Sequence, residues 1–513
     1  MEQTTFEKGI EAYRIGDYAQ ARICWQKCAE EEGLPSAMYN IGTLYEAGLG
    51  VERNPGQAFA WYKRAAEAGD PSAMYRRAHC HAQGYGTEKD AAAWSDWLFR
   101  AALAGHADAQ YEGALHLIGT KQLPDVAEQL LLNAAEQGHA KAQYEYAKIC
   151  EKEKTPEKLT EAVQWFRNAA EQGYAESQTR LGNMYEHGVG VPENAAEAVR
   201  LFEMAAAQGN CFAQWRLAVH LMKGDGVTGN PARALELLRK AAAQKDYYAR
   251  YACHEIGGMF ERGVGMAPDP AEAFRWYHLS AEQGYVFAQN KVGALYHRGK
   301  GVGQDDSRAI EWLTKAAEQD FAAAFFNLGR VYSEGLSVDR NDGLALQNFH
   351  RAAELGDVSA YNTIGNMYAD GRGVKKDLVE AVRYYRIGAE SGDPRATASL
   401  GWAHFNGMGV ARNYREAFRL FRAAAGDNVS EAVLGLAVCY RTGKGAEKDN
   451  VRARELFIRA AEMGNLEAPH FLAANGQELR PISELDIKSA AGDMAGSVIG
   501  TLIEQLLGGG GDD

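Results

Sequence analysis

SAMYNIGTLYEAGLGVERNPGQAFAWYKRAAEAG, residues Ser36–Gly69, decides the fold. Ala37, Ile41, Leu44 and Tyr45 recur at helical spacing and make one apolar face of a first helix. Gly42 is small enough to let a neighbouring helix come close. Gly48 and Gly50 end that helix, because glycine takes left-handed backbone angles without a Cβ penalty. Asn54 is placed to cap a second helix, and Pro55 to fill its first turn, where a missing N–H costs nothing. Ala58, Trp61, Tyr62, Ala65 and Ala66 make the inward face of the second helix. The stretch therefore reads as a helical hairpin closed by an Ala-Ala-x-x-Gly segment.

The closing glycine of Gly69 recurs at Gly105, Gly138, Gly173, Gly209, Gly284, Gly356, Gly392 and Gly464, with Lys245, Asp320 and Asn428 in its place where it is lost. The spacing is 36 residues in most units, 33 and 35 in two, and 39 in one. Twelve repeats, numbered 1 to 12 by these closing positions, thus fill residues 34–464. A period this long with little β-branched alternation means stacked helical hairpins. The cap position, fifteen residues before each marker, tests the register. It holds Asn54, Asp90, Asn194, Asn230, Asp269, Asp305, Asn341, Asp377, Asn413 and Asp449. The exceptions, Leu123 and Lys158, fall in repeats 3 and 4, which also lack the paired loop glycines.

Segments such as Ala360-Tyr-Asn-Thr-Ile-Gly-Asn-Met-Tyr-Ala-Asp-Gly-Arg-Gly-Val374, followed by Ala381-Val-Arg-Tyr-Tyr-Arg-Ile-Gly-Ala389 and Gly392, resemble the Sel-one-like repeat. This is a relative of the tetratricopeptide repeat with a longer, glycine-bearing inner loop. The resemblance implies an all-α fold: a right-handed superhelical α-solenoid of about twelve helix-turn-helix repeats with a period near 36 residues. It implies adaptor and scaffold roles and no shared catalytic site. It also implies that the first helix of each repeat lines the concave surface.

The ends read differently. Residues 1–33 are expected to form a tetratricopeptide-like capping hairpin around the turn Gly16-Asp17-Tyr18, since terminal repeats must present a polar outer face. Residues 465–507 are expected to hold an incomplete repeat and a capping helix from about Glu484 to Leu507, before a flexible acidic tail at 508–513. In that helix Gly492, Gly496 and Gly500 fall on one stripe, which suits close helix packing against the last repeat or self-association with a second copy.

Composition limits the function. The chain has 513 residues, 55 basic and 68 acidic, for a formal net charge of −13. That excludes broad phosphate-backbone binding and favours protein partners, basic ones included, so no nucleic acid is expected. The seven cysteines are odd in number and do not recur with the repeat, which reads as buried thiols in a reducing compartment. Cys24 and Cys28 share a helix face and read the same way. No secretory signal and no membrane span is read, and a cytoplasmic location is expected.

No catalytic, metal or cofactor site is expected either. Gly299-Lys-Gly-Val-Gly303 lacks the spacing of a phosphate loop and follows a helix. His79 and His81 project about 200° apart on a helix and cannot share an ion. The thirteen histidines meet no paired nucleophile or acid. Binding residues are better placed. Two positions before the leucine of each Leu-Gly pair stand Tyr39, Tyr75, Tyr111, Tyr144, Trp215 and Phe326, with Thr179, His254, Asn290, Asn362, Ala398 and Leu434 in the other repeats. Large amphipathic aromatics are what binding hot spots use, and they also pack between helices. The expected function is a protein–protein scaffold or adaptor that binds its partner along the concave face. The alternatives are a toxin-neutralising or secretion-accessory protein that occludes an effector, and a regulator of an enzyme.

Overall fold

The computed structural model describes residues 4–472. They form twenty-six α-helices, a short 3-10 helix at Ala468–Phe471 and no β-strand. The chain divides into two compact bodies, Met1–Ala249 and Arg250–Asp513. The long 39-residue spacing, between Lys245 and Gly284, spans that boundary. The expected helix from Glu484 to Leu507, with its glycine stripe and acidic tail, lies outside the described residues.

Each repeat is the helical hairpin that the sequence predicts. In repeat 1 the first helix, Pro35–Ala47, buries Ala37, Met38, Ile41, Gly42 and Leu44. The second, Pro55–Glu67, buries Ala58, Tyr62, Ala65 and Ala66. Gly42 is required by its own hairpin partner: a Cβ there would stand 2.6 Å from the Tyr62 ring. The second loop glycine answers a different contact. A Cβ on Gly86 would stand 2.1 Å from the carbonyl oxygen of Pro55, so the loop of repeat 2 lies directly on the start of the second helix of repeat 1. Its φ of 68° also belongs to the left-handed region that favours glycine.

All ten expected caps accept a hydrogen bond from the first turn of their second helix; Asn54, for example, accepts from the Gln57 amide at 3.0 Å. Leu123 makes no such bond and sits at φ 42°. Lys158 is a correction. The second helix of repeat 4, Pro156–Glu171, starts earlier than the register placed it, and Thr155 caps it by accepting from the Lys158 amide. Two further findings concern turns. Asp320 and Asn428 take the left-handed conformation of the lost closing glycine, but Lys245 does not. Repeat 9 also lacks its second loop glycine: Ser337 stands there, exchanging hydrogen bonds with Asp306, whose amide donates to the serine Oγ at 2.8 Å.

A glutamine ladder joins repeats 3 to 6. Gln110, Gln143, Gln178 and Gln214 are buried on the first helices, after Ala109, Ala142, Ser177 and Ala213. Each side-chain amide donates to a carbonyl near the end of the preceding second helix, at 3.2 Å from Gln110 to Ala102 and 3.1 Å from Gln178 to Ala170. Each side-chain oxygen accepts from a second glutamine, Gln137, Gln172, Gln208 or Gln244, at 2.7 to 2.9 Å. The buried amide is thereby satisfied on both sides, which a close-packed core requires.

Candidate partner-binding surface

The six aromatic residues picked out on the first helices are all half-buried. Each rests on a ring of its own or a neighbouring element. Tyr39 packs on Tyr62 at 5.6 Å and Phe326 edge-on to Phe349 at 5.3 Å. Tyr75 stacks on His106 at 4.5 Å and donates its hydroxyl to Glu112 at 2.6 Å. Burial and the Glu112 carboxylate both hold that hydroxyl well above the usual tyrosine range. Tyr111 lies 4.7 Å from His139, Tyr144 5.3 Å from Tyr174, and Trp215 stacks on Tyr248 at 6.4 Å.

The structure therefore shows a second row of rings. His106, His139 and Tyr174 directly follow the closing glycine of their repeat, and Tyr285 does the same in the second body, 5.1 Å from His254. His106 and His139 also cap the next first helix, each through Nδ1 accepting a backbone N–H, at 3.3 and 3.0 Å. Burial lowers the His106 pKa, in keeping with a neutral ring that accepts at Nδ1. The sequence signal for this row is the aromatic or histidine immediately after the glycine, 33 and 35 residues apart from His106 to Tyr174.

Two cavities lie where the stripe carries a small residue. In the first body a cavity of about 270 Å³ lies beside Thr179, between Tyr144, Arg180, Asn183 and Phe212. A wider cleft of about 660 Å³ shares Tyr144 and Arg180 with it and continues along Lys148, Lys152 and Lys154. In the second body a cavity of about 220 Å³ lies beside Ala398, between Asn362, Tyr385 and Trp402. There the stripe is polar: Asn327 donates to Asn290 at 2.8 Å and Ser399 to Asn362 at 2.9 Å.

The remaining candidates are packed side chains. His79 pairs with Glu112 at 3.2 Å, Cys80 is buried and His81 meets the Phe59 ring edge-on. All seven cysteines are free and buried, Cys24 and Cys28 among them. Among the described residues no group of three or more His, Cys, Asp or Glu could hold a metal ion, and no helix is long and apolar enough to cross a membrane.

Twelve stretches match the Sel1 repeat, at 35–70, 71–106, 101–139, 140–174, 175–210, 211–246, 250–285, 286–321, 322–357, 358–393, 394–428 and 430–465. The chain belongs to the Sel1-repeat family. A protective antigen present in uropathogenic Escherichia coli strains, which displays an SLR fold, is 30% identical, with a TM-score of 0.68; the match covers 87% of this chain and 96% of that one. A Sel1 repeat protein from Oxalobacter formigenes is 28% identical over 59% of this chain and 88% of its own, with a TM-score of 0.49. No curated protein matches the chain. As a Sel1-repeat protein the chain is an all-α solenoid, and its family serves in general as a protein-interaction scaffold.

Proposed function

We propose that the chain is a scaffold that holds a protein partner along the face made by its first helices. One observation carries this reading: the double row of half-buried rings in the first body, interrupted beside Thr179 by a cavity large enough for a side chain. Rings already held by their neighbours lose little freedom on binding, which is how aromatic hot spots gain affinity. In the second body, first helices also touch one another directly although a second helix separates them in sequence, as Val286–Arg298 does with Ala322–Glu334. Such crowding is what the inner side of a solenoid requires.

Replacing Trp215→Ala together with Tyr144→Ala tests the reading. Helical circular dichroism should stay nearly intact while partner binding weakens by more than about 1 kcal/mol, as hot-spot aromatics do. Unchanged binding by the double variant would reduce the stripe to packing.

A further inference from the structure

Repeat 4, like repeat 3, lacks the paired loop glycines, and a charged cleft occupies the place. Its first helix runs on to Glu153, Lys154 takes a left-handed φ of 59°, and Thr155 starts the second helix at once. The cleft of about 660 Å³ that borders this junction is lined by four cations, Lys148, Lys152, Lys154 and Arg180, and by one carboxylate, Glu151. Leu159 and Val189 supply apolar wall, and the Tyr144 ring joins the cleft to the cavity beside Thr179. Glu151 is engaged, 2.7 Å from Arg180, and Lys148 is engaged by Glu145 at 2.8 Å. Lys152 and Lys154 are exposed and carry no ion pair among the described residues. Cations at a helix C-terminus do complement its dipole, but that needs neither the arginine contributed by the next repeat nor the aromatic wall. In a chain of net charge −13, this is a local reversal of sign.

We propose that this cleft takes an acidic stretch of a protein partner, with its carboxylates on Lys152 and Lys154 and an apolar side chain of the same stretch in the cavity beside Thr179. The proposal rests on the scaffold reading and gives it a chemistry: at this point the preferred partner segment is acidic, not basic. A nucleic acid fits less well. Glu176 lines the adjoining cavity, and Glu153 and Glu157 follow in the chain, so a continuous phosphate backbone would meet like charge where separated carboxylates need not.

The test uses the full chain and a short fluorescent peptide of alternating glutamate and leucine, its lysine counterpart, and a single-stranded oligonucleotide, followed by anisotropy at physiological salt. The acidic peptide should bind, and Lys152→Glu with Lys154→Glu should weaken it by about tenfold or more, with added salt weakening it as well. Lys240→Glu with Lys315→Glu, on second helices, should change it by less than about twofold. The proposal is overturned if the acidic peptide does not bind, if the lysine peptide or the oligonucleotide binds as tightly, or if the cleft variant behaves as the control does. The two readings separate on the native partner, once cross-linked and identified. Loss of binding with Trp215→Ala but not with the cleft variant sinks the acidic-segment proposal and leaves the scaffold reading standing; loss with neither sinks both.

Discussion

Repeats 3 to 6 and repeats 9 to 12 share one backbone plan and hold it together with different chemistry. In the first set the position after the buried small residue, alanine or Ser177, is glutamine, paired with a second glutamine before the closing residue. The second set has Phe325, Tyr361, Thr397 and Val433 there, with Leu355, Ser391, Asp427 and Met463 at the paired position. The neighbouring stripe changes in the other direction, from mostly aromatic in repeats 3 to 6 to Asn362, Ala398 and Leu434 in repeats 10 to 12. Paired amides beneath a mostly aromatic row in one region become mixed pairs in the other, apolar in Phe325–Leu355 and Val433–Met463 and part-polar in Tyr361–Ser391 and Thr397–Asp427, beneath a row whose Ala398 and Leu434 are buried. The hairpin geometry is thus fixed by its alanines, glycines and caps, while the inter-repeat contact is left free to vary.

The second body also places charge between its repeats. His297, 3% exposed, has Nδ1 2.7 Å from Asp306 and Nε2 3.1 Å from Glu334 of the next repeat. Asp306 is fully buried and its other oxygen accepts from the Ser337 amide at 2.7 Å. Removing Asp306 leaves the His297 Nδ1 and the Ser337 amide without this partner. Asp306→Ala should therefore cost about 1–3 kcal/mol for each buried group so stranded. In urea the second body should then unfold well before the first, splitting the transition seen by circular dichroism; a single unshifted transition would show that the link through Asp306 contributes nothing.

A pH titration sharpens the same contrast. His254, at the stripe position of repeat 7, has its pKa lowered to about 4 by burial, aided by the cations Lys291 and Arg262. The unfolded chain binds this proton as pH falls past the ordinary histidine value of 6.5, and the folded chain only near 4. Stability should accordingly fall between those two values and level off below them, by on the order of 3 kcal/mol for this group. His254→Phe should flatten that part of the urea-midpoint curve for the second body; a curve of undiminished slope would assign the loss to other groups.

Much of this is legible in the sequence, and the failures have physical causes. The helix pairs, the ten caps and the loop glycines follow from local backbone chemistry and so show in any one repeat. Thr155 is hidden from a search at a fixed distance before Gly173, because the helix there is extended; the Thr155-Pro156 pair carries the signal. Ser337 escapes because its partner Asp306 belongs to the preceding repeat, and no local pattern announces a contact across that distance. The six aromatic positions are visible, but their support by His106, His139 and Tyr174 is not, since those residues lie across the hairpin from the rings they hold. The glutamine ladder stays hidden because its two members fall about thirty residues apart, a spacing that neither helix periodicity nor capping reveals.

That ladder supplies the smallest effect and the most direct test of interchangeable adhesion. The paired positions change along this chain: Met38 with Ala68 and Met74 with Ala104 in repeats 1 and 2, glutamine with glutamine in repeats 3 to 6 and again as Gln289 with Gln319 in repeat 8, Cys253 with Gln283 in repeat 7, Val433 with Met463 in repeat 12. Gln143→Met alone removes one hydrogen bond to the Ala135 carbonyl and one from the exposed Gln172 amide, while the carbonyl keeps the Gly138 N–H and the amide keeps the Asn168 carbonyl, so the loss should be about 0.5–1.5 kcal/mol per bond. Adding Gln172→Ala removes the unmatched amide and installs the pair that repeats 1 and 2 already use. The double variant should then lie within about 1 kcal/mol of the parent, closer than Gln143→Met alone, giving a coupling energy of opposite sign to the single loss. If the two losses simply add, the pairs are not modules, and the change from glutamine to mixed pairs between the two regions must depend on adjustments elsewhere in each repeat.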